Sequence, residues 1–510
     1  MRGQRWRGLV ALLAGLLIIG MGSAVQSAPA SDTVVVAFGA ELTTMDPPFF
    51  TSSNEQTVYY HLFDTLVTRD ANDRIIPWLA TSWSNPNSLT WEFKLRSDVR
   101  WHNGDPFTAE DVKFTFDRII DPAKNNPSRS KFPTLTEVRV VEPHTVRLIT
   151  KGPDPLMLAR LAGISAWIVP AKYIREKGDQ YFARNPIGTG SYKFVEWVRD
   201  DHLTLEAMPR SWAGRARVRR IITRPVREAS TRLALLRTGE VGIVQNVPPD
   251  QVDALKTSPD VEVVTQPSLR SMYIILRSDM EPTNNKKLRQ AMNHAVNKEA
   301  IIKGILRGFG IVSRGQPMGK EYFGFNAKLQ PYPYDVEKAK QLMAEAGHAR
   351  GLSDKRLSPS GRYQQDKEIA QAVAGQLGAI GVRVDLDLVE FASYVRLKLE
   401  RRIHPLTLGA WSQPIYDADG VFRLLYGTNE PWGVHYSNAH VDKLLLEAAL
   451  TLNPQRRQKL YEEVSEIGRD DAPVIFLHQL VDLYARRRGA PVRPLADETI
   501  VVLPKWELIR

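Results

Sequence analysis

Three patterns in this sequence are close to nucleotide-binding or catalytic motifs, and each lacks something that the chemistry requires. The segment from Gly315 to Glu321 is similar to a phosphate-binding loop, but it is one residue too short and has no Ser or Thr to hold magnesium. Gly188-Thr189-Gly190 has no third glycine and is followed by a predicted strand, so it does not match a dinucleotide-binding fingerprint. No G-x-S-x-G sequence marks a nucleophilic serine.

Residues that could ligate a metal or act as acid and base are scattered. His435 and His440 are the closest pair of histidines, and a spacing of five does not place both on one helix face. Asp385 and Asp387 fall on one face of a predicted strand, where a solvent-facing pair is the simpler interpretation. The absence of cysteine excludes thiolate metal sites, iron–sulfur clusters and cysteine nucleophiles. We therefore expect no enzyme activity, no metal and no cofactor, with an extracytoplasmic hydrolase as the alternative.

Aromatic residues in loop-rich segments are the stronger functional signal. Four tryptophans between residues 78 and 101 lie on alternating predicted strands, which favours positions in a core. Trp411, Tyr416, Trp432 and Tyr436 fall among prolines and glycines instead. Aromatic side chains in such loops can line a ligand cleft, because they offer apolar contact together with a polar edge.

The N-terminus has the pattern of an export signal. Arg2, Arg5 and Arg7 precede an apolar stretch from Leu9 to Met21, and small residues follow up to position 30. We predict cleavage near residue 30, which lowers the formal charge from +11 to +8; a permanent N-terminal anchor is the alternative. Without cysteine the chain cannot be a lipoprotein, so we expect it free in the periplasm.

One basic run stands out in the remaining chain, from Arg215 to Arg220. It has no interleaved aromatic residues, so a solvated rim is a better interpretation than a nucleic-acid site. We expect no nucleic-acid partner.

Alternating apolar patterns predict an α/β protein of several domains. We predict strands at 33–38, 91–95 and 382–388, and hairpins within 137–150 and 192–207. Thr108 with Asp111 should form a capping box, and Asp335 should cap a helix that ends at Gly347. One helix is predicted from about 288 to 302, and another opens at Asn453-Pro454. No flexible linker separates these segments, so the domains should be interleaved.

In order along the chain, several segments resemble the peptide/nickel-binding proteins of ABC importers, bacterial extracellular solute-binding family 5. The segments are HLFDTLVTRD (61–70), IIPWLATSW (75–83), the stretch 91–119, NPIGTGSYKFVEW (185–197), the stretches 286–310 and 332–347, QLGAIGVRVDL (376–386) and HYSNAHVDKLL (435–445). The family usually has proline where this chain has Ser191. The resemblance covers essentially the whole chain after the export signal.

This resemblance implies a two-lobed periplasmic binding protein of type II with three domains and a hinge. Residues 1–30 would be the signal peptide. Lobe 1 would comprise residues 31–50, 187–268 and 482–510, with a second domain (51–186) inserted into it, and lobe 2 would be 269–481. The two crossings near Leu269 and Val481 would form the hinge. The protein would be a monomer that delivers a small peptide or peptide-like solute to a permease and ATPase complex in the inner membrane.

The ligand itself stays open at this point. Peptide-binding members use an Asp a few residues after the equivalent of Trp411 to pair with the ligand ammonium, but the third residue here is Pro414. Asp417 is our first choice for that role. Nickel chelates, opines, glutathione and oligosaccharides are alternative ligands, and a sensor-linked binding protein is an alternative function. The candidate ligand-binding residues are Phe49, Phe50, Arg362, Tyr363, Trp411, Gln413, Tyr416, Asp417, Asp419, Trp432 and Tyr436.

Overall fold

Strands and helices alternate in the computed structural model, which describes residues 32–39, 41–49, 54–70, 74–163, 165–216, 218–360, 363–430 and 433–502. All of these belong to one compact unit, Asp32–Arg510. The predicted signal peptide, residues 1–30, lies outside the described residues. Among the helices described, none is both long and apolar enough to cross a membrane.

The strands of the described residues are β1 (Thr33–Phe38), β2 (Val67–Arg69), β3 (Ile75–Pro77), β4 (Ala80–Asn87), β5 (Thr90–Leu95), β6 (Leu135–Glu142), β7 (Thr145–Thr150), β8 (Tyr192–Val198), β9 (His202–Ala207), β10 (Arg220–Pro225), β11 (Ile243–Gln245), β12 (Val261–Leu276), β13 (Gly310–Val312), β14 (Leu352–Ser360), β15 (Val382–Glu390), β16 (Leu406–Trp411), β17 (Val474–Arg487), β18 (Val492–Pro494) and β19 (Ile500–Val502).

The helices of the same residues are α1 (Asn54–Leu62), α2 (Ala109–Ile120), α3 (Met157–Leu161), α4 (Ala171–Lys177), α5 (Asp179–Phe182), α6 (Ala229–Thr238), α7 (Val252–Lys256), α8 (Lys286–Ala295), α9 (Lys298–Gly304), α10 (Val336–Glu345), α11 (Asp366–Gly378), α12 (Phe391–Leu399), α13 (Ala418–Tyr426), α14 (Ala439–Leu450) and α15 (Pro454–Asp471).

One large mixed sheet runs through the described unit in the order β15-β14-β16-β12-β17-β11-β1-β10-β9-β8, with β13 paired to β17. Its centre is the long antiparallel pair of β12 and β17. The pairing shifts register between Pro267, which faces Val481, and Ser271, which faces Gln479. Over this interval β12 advances by four residues and β17 by only two. This β-bulge lies at the two positions where the sequence predicts the chain to cross between lobes. A bulge bends the strand locally and leaves backbone unpaired.

Separate apolar cores pack around the two ends of this strand pair. Val261 and Ala485 belong to the core at one end, and Tyr273 and Phe476 belong to a core at the other. A smaller antiparallel sheet, β4-β5-β7-β6, carries its own core with α2. Each fully buried large apolar side chain contributes about 1.5–3 kcal/mol. The bulge in the central pair is therefore flanked by well-packed apolar cores.

Most local sequence predictions are confirmed. The predicted strands and hairpins correspond to β1, β5 and β15 and to the pairs β6–β7 and β8–β9. The Asp111 carboxylate accepts the Thr108 N–H at 2.9 Å, and the Asp335 carboxylate accepts the Lys338 N–H at 2.8 Å. These side chains satisfy N–H groups at or near the N-termini of α2 and α10, which have no partner within the helix.

The single helix predicted over 288–302 is wrong, because the structure breaks it into α8 and α9. Val296 and Asn297 adopt extended backbone conformations, and the Asn297 side chain accepts the Ala300 N–H at 2.8 Å to start a new helix. The apolar spacing continued across the break, so periodicity alone could not detect it. The cap residue Asn297 was the signal for the interruption.

The Gly188-Thr189-Gly190 segment packs directly on the end of α1. The Gly190 N–H donates to the Leu62 carbonyl oxygen at 3.0 Å. A Cβ atom at Gly188 would lie 1.7 Å from that same oxygen, which no side chain can occupy. The two glycines therefore permit a close backbone contact, and the sequence similarity to a nucleotide-binding loop has a packing explanation.

We expect Gly188→Ala to lower the free energy of unfolding by about 3 kcal/mol, the upper range for overpacking, because the backbone of α1 must move. The matched control is Gly375→Ala in α11, where a Cβ would meet nothing within 4 Å. It should raise the free energy of unfolding by about 0.5–1 kcal/mol through helix propensity. Urea denaturation of both variants measures whether the free energy of unfolding falls or rises. A loss below about 1 kcal/mol in Gly188→Ala would contradict the close contact.

Candidate functional site

A cavity of about 170 Å³ lies beside the bulge of the central strand pair. Its walls come from distant parts of the chain: the end of α1 with β2, the segment after α3, β12, the loop before α13, and the C-terminal segment 493–499. Tyr60, Trp167 and Tyr416 supply aromatic surface. Charged groups of both signs share the same walls. Such a mixed lining suits a small polar solute rather than a lipid.

Arg69 joins the two sides of the cavity. Its guanidinium donates to the Ile415 carbonyl oxygen at 2.8 Å, and it lies 4.7 Å from the centre of the Tyr416 ring. Ile415 is 346 residues away from Arg69 along the chain. An arginine over an aromatic face combines electrostatic attraction with dispersion, so this contact holds one side of the cavity closed.

Asp70, Glu321 and Asp497 place carboxyl groups on the cavity wall. Asp70 is already neutralised, because its carboxylate accepts the Arg74 N–H at 3.0 Å and the Arg74 Nε at 2.7 Å. Glu321 accepts from the Gln479 side-chain amide at 2.7 Å, and Asp497 accepts the Thr499 N–H at 3.1 Å. Both of these contacts are with uncharged donors, which leaves a ligand cation as a favourable partner.

Burial shapes the electrostatics of the acids around the bulge. Burial, with a smaller contribution from Glu498, raises the pKa of Asp482 to about 7 and also raises the pKa of Asp497. Asp482 is paired in register with Gln266, which lines the cavity. Arg270 lies 3.7 Å from Glu498 and lowers the pKa of Asp482 only in part. Burial is thus the largest cause of the raised pKa of both Asp482 and Asp497.

Asp417 has a structural partner. It is the N-cap of α13, where its carboxylate accepts the Asp419 N–H at 3.0 Å. The same carboxylate receives two guanidinium hydrogen bonds from Arg457, at 2.6 and 2.7 Å, with both side chains buried. Asp419 lies in the first turn of α13, not in a loop, and pairs with Arg423 at 2.8 Å. The role of Asp417 toward a ligand ammonium stays a prediction, and its carboxylate is already bonded bidentately to Arg457.

Of the other predicted residues, Tyr416 lines the cavity. The others make the following contacts. The Gln413 N–H donates to the Tyr322 hydroxyl at 2.8 Å, and Trp411 packs against the core that contains Tyr273. The Tyr363 ring lies 6.0 Å from the Arg270 guanidinium. Among the predicted residues that the structure describes, only Tyr416 belongs to the cavity lining.

Two predicted residues lie away from the cavity. Phe49 packs near the Arg118 guanidinium, 5.4 Å from its ring centre. Tyr436 is buried in the core around Tyr426 and donates its hydroxyl to the Asp471 carboxylate. Phe50, Arg362 and Trp432, which the sequence also predicts to bind the ligand, lie outside the described residues.

The sequence analysis missed Arg69, Trp167, Glu321, Arg493 and Asp497. Arg69 stands in the quoted segment HLFDTLVTRD, but no periodicity distinguishes it from other charged surface residues. Arg493 and Asp497 come from the C-terminal segment, which folds back onto α1: the Val502 N–H donates to the His61 ring at 2.9 Å. Such contacts across more than 400 residues leave no local signal.

Comparison with known proteins identifies relatives over nearly the whole chain. Residues 74–432 match the bacterial extracellular solute-binding proteins, family 5. A glutathione-binding protein, GsiB of Pectobacterium atrosepticum, is 30% identical over 476 residues, which is 91% of this chain and 92% of that protein. GsiB of Escherichia coli K12 is 28% identical over 478 residues, with the same shares of each chain.

Solved structures give the same result for the fold. HbpA2 from Haemophilus parasuis superposes with a TM-score of 0.84 at 23% identity, covering 92% of this chain and 100% of that chain. The periplasmic binding protein DppA from Helicobacter pylori, in complex with the peptide STSA, has a TM-score of 0.74 at 25% identity and covers 92% and 98% of the two chains.

Asp417→Asn should act mainly on stability. Removing one partner of a buried ion pair typically costs about 3–5 kcal/mol, because the other charge stays buried without compensation. The comparison variant is Asp419→Asn, whose partner Arg423 has a side chain that is 41% exposed; we expect a smaller loss, because water can solvate the Arg423 guanidinium once the pair is broken. Urea denaturation measures both. Equal, small losses would show that the Asp417–Arg457 pair is not structurally important.

Asp482 should make stability fall with rising pH. Its folded-state pKa of about 7 exceeds the ordinary value, so between about pH 4 and 7 the folded protein keeps a proton that the unfolded chain has released. The free energy of unfolding should therefore decrease through this window, by at most about 1.4 kcal/mol per pH unit for one proton. Asp482→Asn should reduce that slope, whereas Asp385→Asn on β15 should leave it unchanged. Denaturation at pH 5, 6, 7 and 8 measures the slope, and an identical slope in both variants would contradict the assignment.

Proposed function

The chain belongs to the bacterial extracellular solute-binding proteins of family 5, and from this membership we propose that it captures a small zwitterionic, peptide-like solute for an ABC importer. Its α/β fold is the two-lobed fold of periplasmic binding proteins. Members of this family bind solutes for transport and are not enzymes. Delivery to a permease and ATPase complex follows from that role.

The observation that carries this proposal is the cavity between distant segments. Its lining combines residues before the bulge, such as Arg69, with residues after it, such as Glu321 and Tyr416. A solute enclosed there contacts both sides at once, so its binding free energy favours the closed arrangement over the open one. Hinge closure of this kind requires no catalytic group, in agreement with the incomplete catalytic motifs of the sequence.

The charges of the wall support a zwitterionic ligand. An ammonium group would find carboxyl groups at Glu321 and Asp497, and a carboxylate would find guanidinium groups at Arg69 and Arg493. Peptides and glutathione carry both charges, and two relatives are named for glutathione or crystallised with a peptide. Arginine suits carboxylate recognition because its planar group can donate two parallel hydrogen bonds.

The domain boundaries and the location complete the proposal. Lobe 1 comprises 31–50, 187–268 and 482–510, with 51–186 inserted, and lobe 2 comprises 269–481. The exported chain, cleaved near residue 30, acts in the periplasm as a monomer. The bulge at Pro267–Ser271 and the separate cores at the two ends of β12 and β17 support a hinge at this division.

Calorimetric titration with glutathione, Ala-Ala and a nickel–histidine chelate tests the ligand class. We expect binding of glutathione or the dipeptide, and a hundredfold excess over Kd should stabilise the fold by about 2.7 kcal/mol. Small-angle scattering should give a smaller radius of gyration with the bound solute. If only the chelate binds, the ligand class is a metal complex and not a zwitterion. Cleavage of the dipeptide would favour the alternative that the protein is a hydrolase.

Asp497→Asn should weaken that binding strongly. Loss of one partner of a desolvated charge pair typically costs about 2–5 kcal/mol, which is roughly thirty- to several-thousand-fold in Kd. Asp385→Asn makes the same chemical change on the exposed face of β15 and should alter Kd by less than about threefold. A loss below threefold in Asp497→Asn would place the ligand ammonium elsewhere.

A further inference from the structure

A cluster of positive side chains surrounds the single carboxylate of Glu206 on the surface of β8–β10. The Lys193 ammonium lies 3.5 Å from this carboxylate, and the Arg219 and Arg220 guanidinium groups each lie 3.8 Å from it. One negative charge thus faces three positive charges. The side chains of Arg219 and Arg220 are 63% and 45% exposed, so their charges are available to a partner.

The loop before β10 adds two more cations and holds them in place. Arg210 and Arg215 are exposed on either side of Trp212. The Trp212 indole donates to the Thr189 carbonyl oxygen at 3.1 Å and packs edge-on against Trp78, with ring centres 5.0 Å apart. An anchored loop loses little conformational entropy when its charges bind a partner. We call Lys193, Arg210, Arg215, Arg219 and Arg220 the basic face.

The basic face is also where the chain enters the folded unit. Thr33 of β1 pairs in register with Arg220, and the Arg220 N–H donates to the Asp32 carbonyl oxygen at 2.9 Å. Asp32 and Thr33 therefore lie beside Arg220, at the edge of this face.

We propose that the basic face docks the protein on anionic phospholipid headgroups, an interaction separate from solute capture. Arginine and lysine near an anionic bilayer each contribute roughly a fivefold gain in binding. Trp212, the aromatic residue within the basic face, is partly buried and packs against Trp78, so it is not available to stack on bases and a nucleic acid is a poorer fit. A lipid surface fits better, because it demands a spread of exposed charge and no shape-complementary pocket. Docking concentrates the loaded protein at the membrane that holds its permease.

Sedimentation with phospholipid vesicles tests this proposal. The protein used in this experiment starts at residue 31. Residues 32–510 form one compact unit, and the apolar N-terminal stretch would itself bind lipid. We expect binding to vesicles of 70% phosphatidylcholine and 30% phosphatidylglycerol at 0.1 M salt, weaker binding at 0.5 M salt, and none to pure phosphatidylcholine.

A pair of matched double variants separates the basic face from net charge. Arg215→Gln with Arg219→Gln should lower binding roughly 25-fold, at about fivefold per charge. Arg350→Gln with Arg383→Gln removes the same charge from exposed positions near β14 and β15, at the opposite end of the large sheet, and should lower binding less than about threefold. Thermal melting confirms that both variants are folded.

Three results would overturn the proposal. Equal losses in the two double variants would mean that net charge alone attracts the protein. Absence of binding by the parent protein to anionic vesicles would remove the lipid partner. Normal vesicle binding by the first double variant, together with loss of transport, would assign the face to the permease. Solute binding should be unchanged in both variants, so failure of the solute proposal is recognised separately.

Discussion

The antiparallel pair of β12 and β17 is the constraint on which the rest of the structure depends. It is the only connection by which the large sheet of the described residues continues from β11 to β16. Regular pairing at both ends fixes the register of each half, and the packed cores there resist deformation. Two register shifts interrupt the regular pairing, between Pro267 and Ser271 and between Met272 and Tyr273. We therefore expect this pair to bend most easily there, beside the cavity.

Placing ionisable groups next to this bulge has an energetic cost. A carboxyl group that loses its water without gaining a cation becomes a weaker acid, as Asp482 and Asp497 do. Replacing these acids with apolar residues would stabilise the empty protein, but it would remove Asp497, one of the two carboxyl groups proposed to pair with a cationic group of the solute. The cost in stability and the capacity to bind thus have the same origin, which is typical of sites that act through charge.

The sequence predicted the parts of this molecule that depend on neighbouring residues. Caps at Thr108 and Asp335 were predictable because a side chain reaches the backbone two or three residues away. The break at Asn297 was not predicted, because the apolar spacing continues across it and favours a single helix, whereas the capping side chain of Asn297 favours a new helix start. The cavity could not be assembled, because Arg69 and Ile415 meet only after the whole sheet has formed. The family resemblance supplied the fold and a prediction of the hinge positions, but not the charges of the lining.

Asp417 shows how a predicted ligand-binding acid can also have a structural partner. In this chain proline stands at the third position after Trp411, and the acid that follows lies at the start of α13. An acid at an N-cap already accepts a backbone N–H, and Arg457 on α15 reaches it bidentately. Both interactions favour the charged form inside the protein, so the carboxylate stabilises the packing of two helices. A ligand ammonium would have to compete with Arg457 for the same oxygens. The partners described for Glu321 and Asp497 are the uncharged Gln479 amide and Thr499 N–H, and the proposed function therefore assigns the ammonium to these two acids.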